Sequence, residues 1–380
     1  MSRLFALALA ALWMLVAPLS AEILLTPKEI TQTLRHGPWP PQPTIDPSNR
    51  VSGNPQAIAL GQQLFNDPIL SIDGTLSCAA CHDPARDFTD GRARAMGRDL
   101  QDRNTLSLWN LGRHRWFGWA GDTDTIWAQS ITPLLNAGEM GHSHETLQHA
   151  LRNSRYATEY TQLFSDPAQE PAQQTTVNIA KTLAAFQETL HSGITSFDRF
   201  RDALAKGDMN HAVKYPAAAQ RGLQIFLGHG RCVFCHSGPA FTNGEFHDAG
   251  IPYFLEPGRV DQGRFAALNA LKDSPYTLDG AFTDDQKKSG AWAVRNVRFQ
   301  HLDFGTFRTP SLRRAAQTAP YMHNGSLPDL RAVLDHYNAI NMERLHTDGE
   351  AILRPLNLSD TELSDLETFL RTLSDDTPGG

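Results

Sequence analysis

The chain has 380 residues, of which 41% are hydrophobic and 20% are charged, and its net charge is -7 at pH 7. These proportions are ordinary for a globular protein, and the length suits two domains. The negative charge gives no support for nucleic-acid binding, whereas it permits a neutral or basic protein partner. Beyond the N-terminus no apolar run is long enough to span a bilayer, so we expect no membrane span.

The first predicted element is a signal peptide over residues 1–21. Arg3 precedes an apolar stretch over residues 4–17, and Pro18 begins a short stretch that ends at Ala21. This span is too short and wrongly flanked for a membrane helix. It therefore predicts export to the periplasm and cleavage after Ala21. Residues 22–54, with many Pro, Asn and Ser in their second half, are predicted to be an extended N-terminal lead-in.

Two Cys-x-x-Cys-His pentads use all four cysteines of the chain. Their cysteines and histidines are Cys78, Cys81, His82, Cys232, Cys235 and His236. In this pattern the two thiols bond to the vinyl groups of a haem, and the histidine ligates its iron. A zinc site or a redox dithiol needs no adjacent histidine, and structural zinc pairs usually lie closer in sequence. The pentads therefore predict two haem c groups.

The sequence around the pentads is repeated. Residues 61–65 (GQQLF) precede the first pentad, and residues 222–226 (GLQIF) precede the second. A Phe-Thr pair follows each pentad, at Phe88 and at Phe241. The repeat predicts a mainly α-helical fold of two cytochrome c-type domains, each wrapping one haem. We place their boundaries at residues 55–190 and 191–375.

Hydrophobic periodicity and a capping pattern predict four helices in this fold. Short helices over residues 57–65 and 216–226 lead into the pentads, and another helix covers residues 175–190. A capping box of Ser359 and Glu362 opens a helix over residues 359–373. The remaining two segments are read as connections. They are residues 191–216, between the domains, and residues 244–306, as a long loop over the second haem.

Several short motifs together resemble those of the bacterial di-haem cytochrome c peroxidases and their MauG-like relatives. They are residues 102–105 (DRNT), 133–136 (PLLN), 307–313 (FRTPSLR) and 318–325 (TAPYMHNG), in addition to the pentads. The resemblance extends over roughly residues 55–375. It implies an enzyme in which one haem reacts with hydrogen peroxide while the other passes electrons to it.

The resemblance also implies the second ligand of the second haem. In the peroxidases this ligand is a Met fourteen residues after the His of the Pro-Tyr-x-His segment, and counting from His323 gives Tyr337, as in MauG-like proteins. Locally, Ser326 is expected to cap a helix that carries Tyr337 on its apolar face. Met322 and Met342 are the other candidates. Because a phenolate favours ferric iron and a thioether favours ferrous iron, Tyr337 indicates MauG-like oxidation chemistry.

At the first haem the resemblance implies an open face and a set of catalytic residues. Family members that rest inactive carry a distal His after the first pentad, but residues 83–110 contain no His. Glu139 matches the distal acid-base position, and Gln129 matches the neighbouring amide, with Pro133 between them. Trp119 matches the tryptophan that relays electrons between the two haems.

A calcium site and one departure complete the resemblance. Asn104, Thr318 and Pro320 match positions that bind a bridging calcium ion, the last two through backbone oxygens. MauG-like proteins that oxidise a docked protein can use a surface Trp two residues before the second pentad, where this chain has Gly230. The sequence therefore gives no support for the particular protein substrate of those relatives.

These features predict a periplasmic haem peroxidase that uses hydrogen peroxide. Its electrons come through the second haem, either from a periplasmic redox protein or from a side chain of a protein substrate. One alternative is an ordinary di-haem cytochrome c peroxidase with a small cytochrome or a cupredoxin as donor. The other is a non-catalytic electron carrier in which both irons are fully ligated.

Overall fold

The structure, a computed structural model, describes residues 22–252, 254–344 and 353–374. This part of the chain is mainly helical and contains two small antiparallel sheets of two strands each. The predicted mainly α-helical fold is therefore confirmed. The predicted signal peptide over residues 1–21 lies outside the described residues. Within those residues, the structure has no helix with the length and apolar character needed to cross a membrane.

The helices and strands follow one another along the chain in the following order. The helices are α1 (Pro27–Leu34), α2 (Pro55–Asn66), α3 (Cys78–Cys81), α4 (Ile126–Leu135), α5 (His144–Arg152), α6 (Ala157–Leu163), α7 (Ala172–Gln187), α8 (Ser196–Lys206), α9 (Met209–Ala212), α10 (Ala217–Leu227), α11 (Arg264–Asp273), α12 (Trp292–Asn296), α13 (Leu330–Asn338) and α14 (Asp360–Arg371). The strands are β1 (Phe246–His247), β2 (Phe254–Glu256), β3 (Arg259–Val260) and β4 (Phe307–Arg308). Strand β1 pairs with β4, and β2 pairs with β3.

The two largest hydrophobic cores of the described residues hold most of the longer helices together. In the first, α7 packs against α2, α4 and α5, and the buried side chains include Leu60, Trp127 and Leu183. In the second, α10 packs against α14, and the buried side chains include Phe226 and Phe369. The pentads follow α2 and α10, so each is attached to one of the two cores. The division into domains at residue 190 remains a prediction.

A glycine allows the helix before each pentad to approach its partner helix closely. A Cβ atom at Gly61 of α2 would overlap the carbonyl oxygen of Thr182 in α7. A Cβ atom at Gly222 of α10 would likewise overlap the carbonyl oxygen of Asp365 in α14. The repeated glycine of the sequence is thus explained by the same backbone-to-backbone contact in both cores.

The four predicted helices are all present, with small differences at their ends. They correspond to α2, α7, α10 and α14, and the capping box of Ser359 and Glu362 opens α14. The expected cap at Ser326 is wrong, because α13 begins at Leu330 and the side chain of Asp329 accepts a hydrogen bond from Ala332. Pro328 disfavours helical backbone at the residue before it, which explains the later start.

Three predicted connections contain more regular structure than the sequence indicated. The lead-in over residues 22–54 is not extended throughout, because it includes α1, which is capped by Thr26 and packs against α8 and α10. Residues 191–216 include α8 and α9. Residues 244–306 include β1, the β2–β3 hairpin, α11 and α12, and a small apolar cluster of this segment packs against Trp116. Tertiary packing supplies the stability that these short elements lack on their own.

Candidate functional site

The second pentad opens into a large cavity. The cavity has a volume of about 280 Å³, and Cys232, Cys235, His236 and Tyr337 all lie on its wall. Much of the remaining wall is apolar and includes Leu334 and other side chains of the second core. All four cysteines have free thiols rather than disulfides. Paired thiols, an adjacent imidazole and an apolar chamber are the donor set that a covalently attached haem requires.

The first pentad lies against the turn that carries Glu139. Glu139 is close enough to Cys78 and Cys81 to affect the pKa of both thiols, which burial raises. The backbone of Gly97 packs against Glu139, where a Cβ atom would clash with the carbonyl oxygen of Gly138. The thiols, the imidazole of the same pentad and this carboxyl group therefore form one site.

Each pentad histidine is oriented by a backbone carbonyl group. Nδ1 of His82 lies 3.1 Å from the carbonyl oxygen of Phe88, and Nδ1 of His236 lies 3.1 Å from that of Phe241. Because a carbonyl oxygen only accepts, Nδ1 donates in both cases, and Nε2 is left free to ligate a metal. Phe88 and Phe241 both have positive φ angles, 57° and 51°. The repeated Phe-Thr pair of the sequence therefore marks the acceptor of each histidine.

Two adjacent arginines bond to residues that precede these two phenylalanines. The guanidinium of Arg313 forms a fully buried ion pair with Asp198 and donates a 2.6 Å hydrogen bond to the carbonyl oxygen of Pro239, two residues before Phe241. Arg314 forms a buried ion pair with Asp87, which precedes Phe88. One short segment therefore contacts the loop that follows each pentad.

The lead-in also reaches the second pentad. The ring of His36 stacks on Phe241 with a centroid distance of 4.6 Å, and it is almost fully buried. The indole of Trp39 lies under the guanidinium of Arg313, 3.7 Å from the ring centroid to Cζ. The segment after α1 thus packs behind the carbonyl acceptor of His236.

The three candidate ligands of the second haem lie in different surroundings. Tyr337 lines the cavity and is close enough to Cys232 and Cys235 for their charges to affect its pKa, which burial raises. Met322 lines the same cavity, whereas Met342 is exposed and does not. The structure therefore leaves Tyr337 and Met322 as the candidates within reach of the cavity.

The predicted acid-base group and its neighbours are held by α4 and the turn after it. Gln129 and Pro133 lie one helical turn apart in α4, and the carbonyl oxygen of Pro133 accepts a 3.1 Å hydrogen bond from Met140. The amide nitrogen of Glu139 donates to the carbonyl oxygen of Asn136. Burial raises the pKa of Glu139, although a hydrogen bond with Asn136 acts in the opposite direction. Glu139 can therefore hold a proton at a higher pH than a solvated carboxyl group.

Trp119 and the three predicted calcium ligands lie on the wall of the cavity beside the second pentad. The indole nitrogen of Trp119 donates a 2.8 Å hydrogen bond to the carbonyl oxygen of Asn104, and Asn104, Thr318 and Pro320 line the same cavity. Gly118, next to Trp119 in sequence, lies close to the side chain of Gln129. The Trp119 segment thus lies between the cavity and α4.

Comparisons with known proteins agree with this arrangement of two haem-binding motifs. A family model described as di-haem cytochrome c peroxidase matches residues 55–206. The methylamine utilization protein MauG of Methylorubrum extorquens is 34% identical over 322 residues, which cover 84% of this chain and 78% of the relative. The cytochrome-c peroxidase IdrP1 of Denitromonas iodatirespirans is 32% identical over 342 residues, covering 89% and 86%.

Solved structures share the fold. A crystal structure of a MauG-like protein associated with microbial copper homeostasis has a TM-score of 0.67 and 26% identity, covering 90% of this chain and 97% of that chain. The di-haem peroxidase BthA from Burkholderia thailandensis has a TM-score of 0.68 at 21% identity, covering 85% and 87%.

Fold and sites thus define a haem enzyme with two cytochrome c-type centres, and the chain belongs to the di-haem cytochrome c peroxidase family, which includes MauG. It is an oxidoreductase that uses peroxide, and family membership implies two haem c groups. The alternative of a non-catalytic carrier is therefore set aside.

Several residues that shape the site were missed at the level of sequence. They are the carbonyl acceptors Phe88 and Phe241, the arginines Arg308, Arg313 and Arg314, and the imidazoles His36 and His114. The repeat did contain a usable signal for the first two, because the same Phe-Thr pair follows both pentads. Arg308 and Arg313 lie in the quoted motif over residues 307–313, but the motif gave no indication of their contacts, and no local pattern marked the others.

Proposed function

We propose that this protein is a MauG-like enzyme in which hydrogen peroxide binds beside His82 and Glu139, and electrons are drawn through the second centre. The observation that carries the proposal is the difference between the two pentad sites. The wall of the cavity beside the second pentad includes the phenol side chain of Tyr337 in addition to His236. The first site has a protonatable carboxyl group, Glu139, next to its thiols. Haem c iron, when bound, supplies the redox change with peroxide.

In this proposal Glu139 moves the proton. Its carboxyl group takes a proton from one peroxide oxygen and returns it to the other, which assists cleavage of the bond between them. The raised pKa of Glu139 makes its carboxylate a stronger base toward the peroxide proton. Oε1 of Gln129 accepts a 2.9 Å hydrogen bond from Thr123, which leaves the amide nitrogen available to orient the substrate. Pro133 accepts from Met140 and so positions the turn that carries Glu139.

Tyr337 gives the second centre a different character. A phenolate is an anionic, hard donor that favours oxidised iron. Burial raises the pKa of Tyr337, which opposes the phenolate unless a cation lies beside it. Haem iron, when bound, would supply that charge, since ligands lose their protons on coordination. Tyr337 rather than Met322 is the proposed ligand, because Tyr337 lies fourteen residues after His323, the spacing that the family resemblance implies.

The remaining assignments belong to the same proposal. Trp119 carries electrons between the two centres, and Asn104, Thr318 and Pro320 bind one calcium ion, which suits oxygen ligands. The protein acts in the periplasm, where its partner is a redox protein or a protein substrate. The relatives named MauG support this reading.

Rapid mixing of the mature di-haem protein with hydrogen peroxide tests the proposal. We expect Glu139→Gln to slow the optical change by about 10²–10⁴-fold, the contribution typical of general acid-base catalysis. Glu145→Gln is the matched control, because Glu145 is exposed in α5 and far from either pentad in sequence. An unchanged rate in Glu139→Gln would remove Glu139 from the mechanism.

Ordinary cytochrome c peroxidase activity is the second candidate, and the relatives named IdrP1 favour it. In that case the protein oxidises a reduced small cytochrome or cupredoxin rapidly in steady state. The MauG-like proposal predicts slow turnover with such donors and a long-lived oxidised form after one addition of peroxide. Rapid turnover with a small donor would replace the first candidate by the second.

A further inference from the structure

Arg308 is a buried cation without a carboxylate partner among the described residues. It ends β4 and is only 5% exposed. Its Nε donates a 3.1 Å hydrogen bond to the carbonyl oxygen of Gly118, and its Nη1 lies 3.4 Å from Nδ1 of His114. Both partners are neutral, so neither compensates the charge. A buried unpaired charge is unfavourable, which indicates that an anion belongs beside it.

Other buried arginines of the described chain do have acidic neighbours. Arg313 and Arg314 form ion pairs with Asp198 and Asp87. Arg264 bonds only to the carbonyl oxygens of Ala120 and Gly121, yet nearby carboxylates partly oppose the effect of burial on its pKa. For Arg308, burial lowers the pKa to about 10 and no described acidic group opposes it.

The position of Arg308 identifies the missing anion. Arg308 and His114 both line the cavity that contains His236 and Tyr337. A haem c attached at the second pentad would supply two propionate carboxylates to that cavity. We propose that Arg308, with His114 beside it, binds one propionate carboxylate of the haem attached at Cys232 and Cys235. This inference rests on the part of the proposed function that assigns the cavity to that haem.

The same contact would link the carboxylate to the electron path. The backbone nitrogen of Arg308 donates a 2.7 Å hydrogen bond to the carbonyl oxygen of Trp119, and its guanidinium holds the carbonyl oxygen of Gly118. The anchor of the propionate therefore also fixes the segment that carries the indole. Arg308 acts as a positioning residue and as the counter-charge of the second haem.

Removal of the guanidinium has a pH-dependent signature. In Arg308→Gln the ionised propionate loses its partner, and its charge then favours ferric over ferrous iron. We expect the reduced-to-oxidised ratio of the second haem at pH 8 to fall about tenfold, which is about 59 mV for one electron. The difference from the parent protein should disappear toward pH 5, because the unpaired carboxylate becomes protonated. Arg308→Lys should retain most of the parent potential.

Spectroelectrochemical titration of the mature protein at pH 5 to 8 measures these values. Resonance Raman bands of the propionate groups provide a second measurement, and they should change for one haem only. Arg264→Gln is the matched control, because it removes a buried arginine that also bonds to carbonyl oxygens of the 118–121 segment but lies off the cavity wall. Haem content of two per chain confirms that each variant has matured.

Three outcomes would overturn the inference. One is a shift in Arg308→Gln that is independent of pH and equal to that of Arg264→Gln, as a purely structural role predicts. Another is a change in the potential of the parent protein when chloride is replaced by inorganic phosphate, provided that Arg308→Gln shows no such change. That result would mean that the anion beside Arg308 comes from the solvent. If Arg308→Gln does not mature, unaltered propionate bands in both Arg308→Lys and His114→Gln overturn it. The proposed function can fail separately, since loss of peroxide reactivity leaves these potentials measurable.

Discussion

The two pentad regions have the same arrangement around the histidine and the same contact of the preceding helix. In each, the histidine donates from Nδ1 to a phenylalanine carbonyl group at 3.1 Å, and that phenylalanine has a positive φ angle. In each, a glycine lets the preceding helix approach a partner helix backbone to backbone. The repeated sequence elements thus have the same geometric tasks in both regions.

The regions differ in what else surrounds the pentad. At the first, Gly97 packs against Glu139, whose carboxyl group is partly buried. At the second, the wall of the cavity includes Tyr337 and the cationic Arg308. The two regions thus share the residues expected to attach the cofactor, whereas the side chains around each pentad differ.

The largest expected effect is at Tyr337, where the difference between the sites is proposed to arise. Tyr337→Met should raise the potential of the second haem by a substantial part of the ~0.8 V range that axial ligands control. Met322→Leu should leave that potential unchanged. Redox titration followed optically measures both. If Met322→Leu changes the low-spin spectrum and Tyr337→Phe does not, Met322 is the ligand instead.

Arg314→Gln tests whether the first site depends on the segment shared with the second. The change leaves the Asp87 carboxylate buried without its cation, which costs about 3–5 kcal/mol of unfolding free energy. It should also alter the spectrum of the first haem alone, because Asp87 precedes the acceptor Phe88. Arg221→Gln is the control for the spectrum of the first haem, since it breaks an ion pair with Asp365 on the second core. Equal spectral changes at both haems would contradict the expected separation.

Gly61→Ala and Gly222→Ala test the symmetry of the helix contacts. Each added methyl group would meet a carbonyl oxygen of the partner helix, and overpacking of this kind costs about 1–3 kcal/mol. Urea unfolding of the mature protein should show losses of similar size for both variants. A loss confined to one variant would mean that the repeat does not preserve this contact.

The pH dependence of stability should differ between the cores. Burial raises the pKa of Glu188, beside the first core, to about 7. Because the pKa of Glu188 is higher in the folded than in the unfolded protein, its contribution to the unfolding free energy is complete below about pH 4.5 and is lost as pH rises through about 7. Glu188→Gln should therefore raise the unfolding free energy at pH 8 by about 1–2 kcal/mol and have little effect at pH 4.5.

Asp198 of the second core provides the contrast for this measurement. Burial raises its pKa, but the hydrogen bonds and charge of Arg313 outweigh burial and lower it overall. The contribution of Asp198 to the unfolding free energy is therefore retained as pH rises. It is lost only as pH falls through the lowered pKa of the folded protein. Hydrogen exchange of the two cores between pH 5 and 8 separates the effects. Equal weakening of both cores with rising pH would contradict the comparison.

The sequence alone determined the features that short contiguous patterns encode. The pentads predicted covalent attachment, the repeat predicted two equivalent helical units, and the periodicity and capping patterns located α2, α7, α10 and α14. Such features depend on residues within a few turns of one another, so local rules suffice for them. The predicted roles of Glu139, Gln129, Trp119 and the calcium ligands, by contrast, came from the family resemblance and stay predictions.

Which distant residues come into contact depends on the tertiary structure. Arg314 reaches Asp87 across 227 positions, and Arg308 reaches His114 across 194. Likewise, α1 joins the second core although it precedes the first pentad. No local pattern predicts such pairs, because they form only where packing of the helices brings unlike segments together and where a buried charge requires a partner. The surroundings that distinguish the two haem sites therefore come from long-range packing, whereas the pentads themselves can be recognised as contiguous sequence motifs.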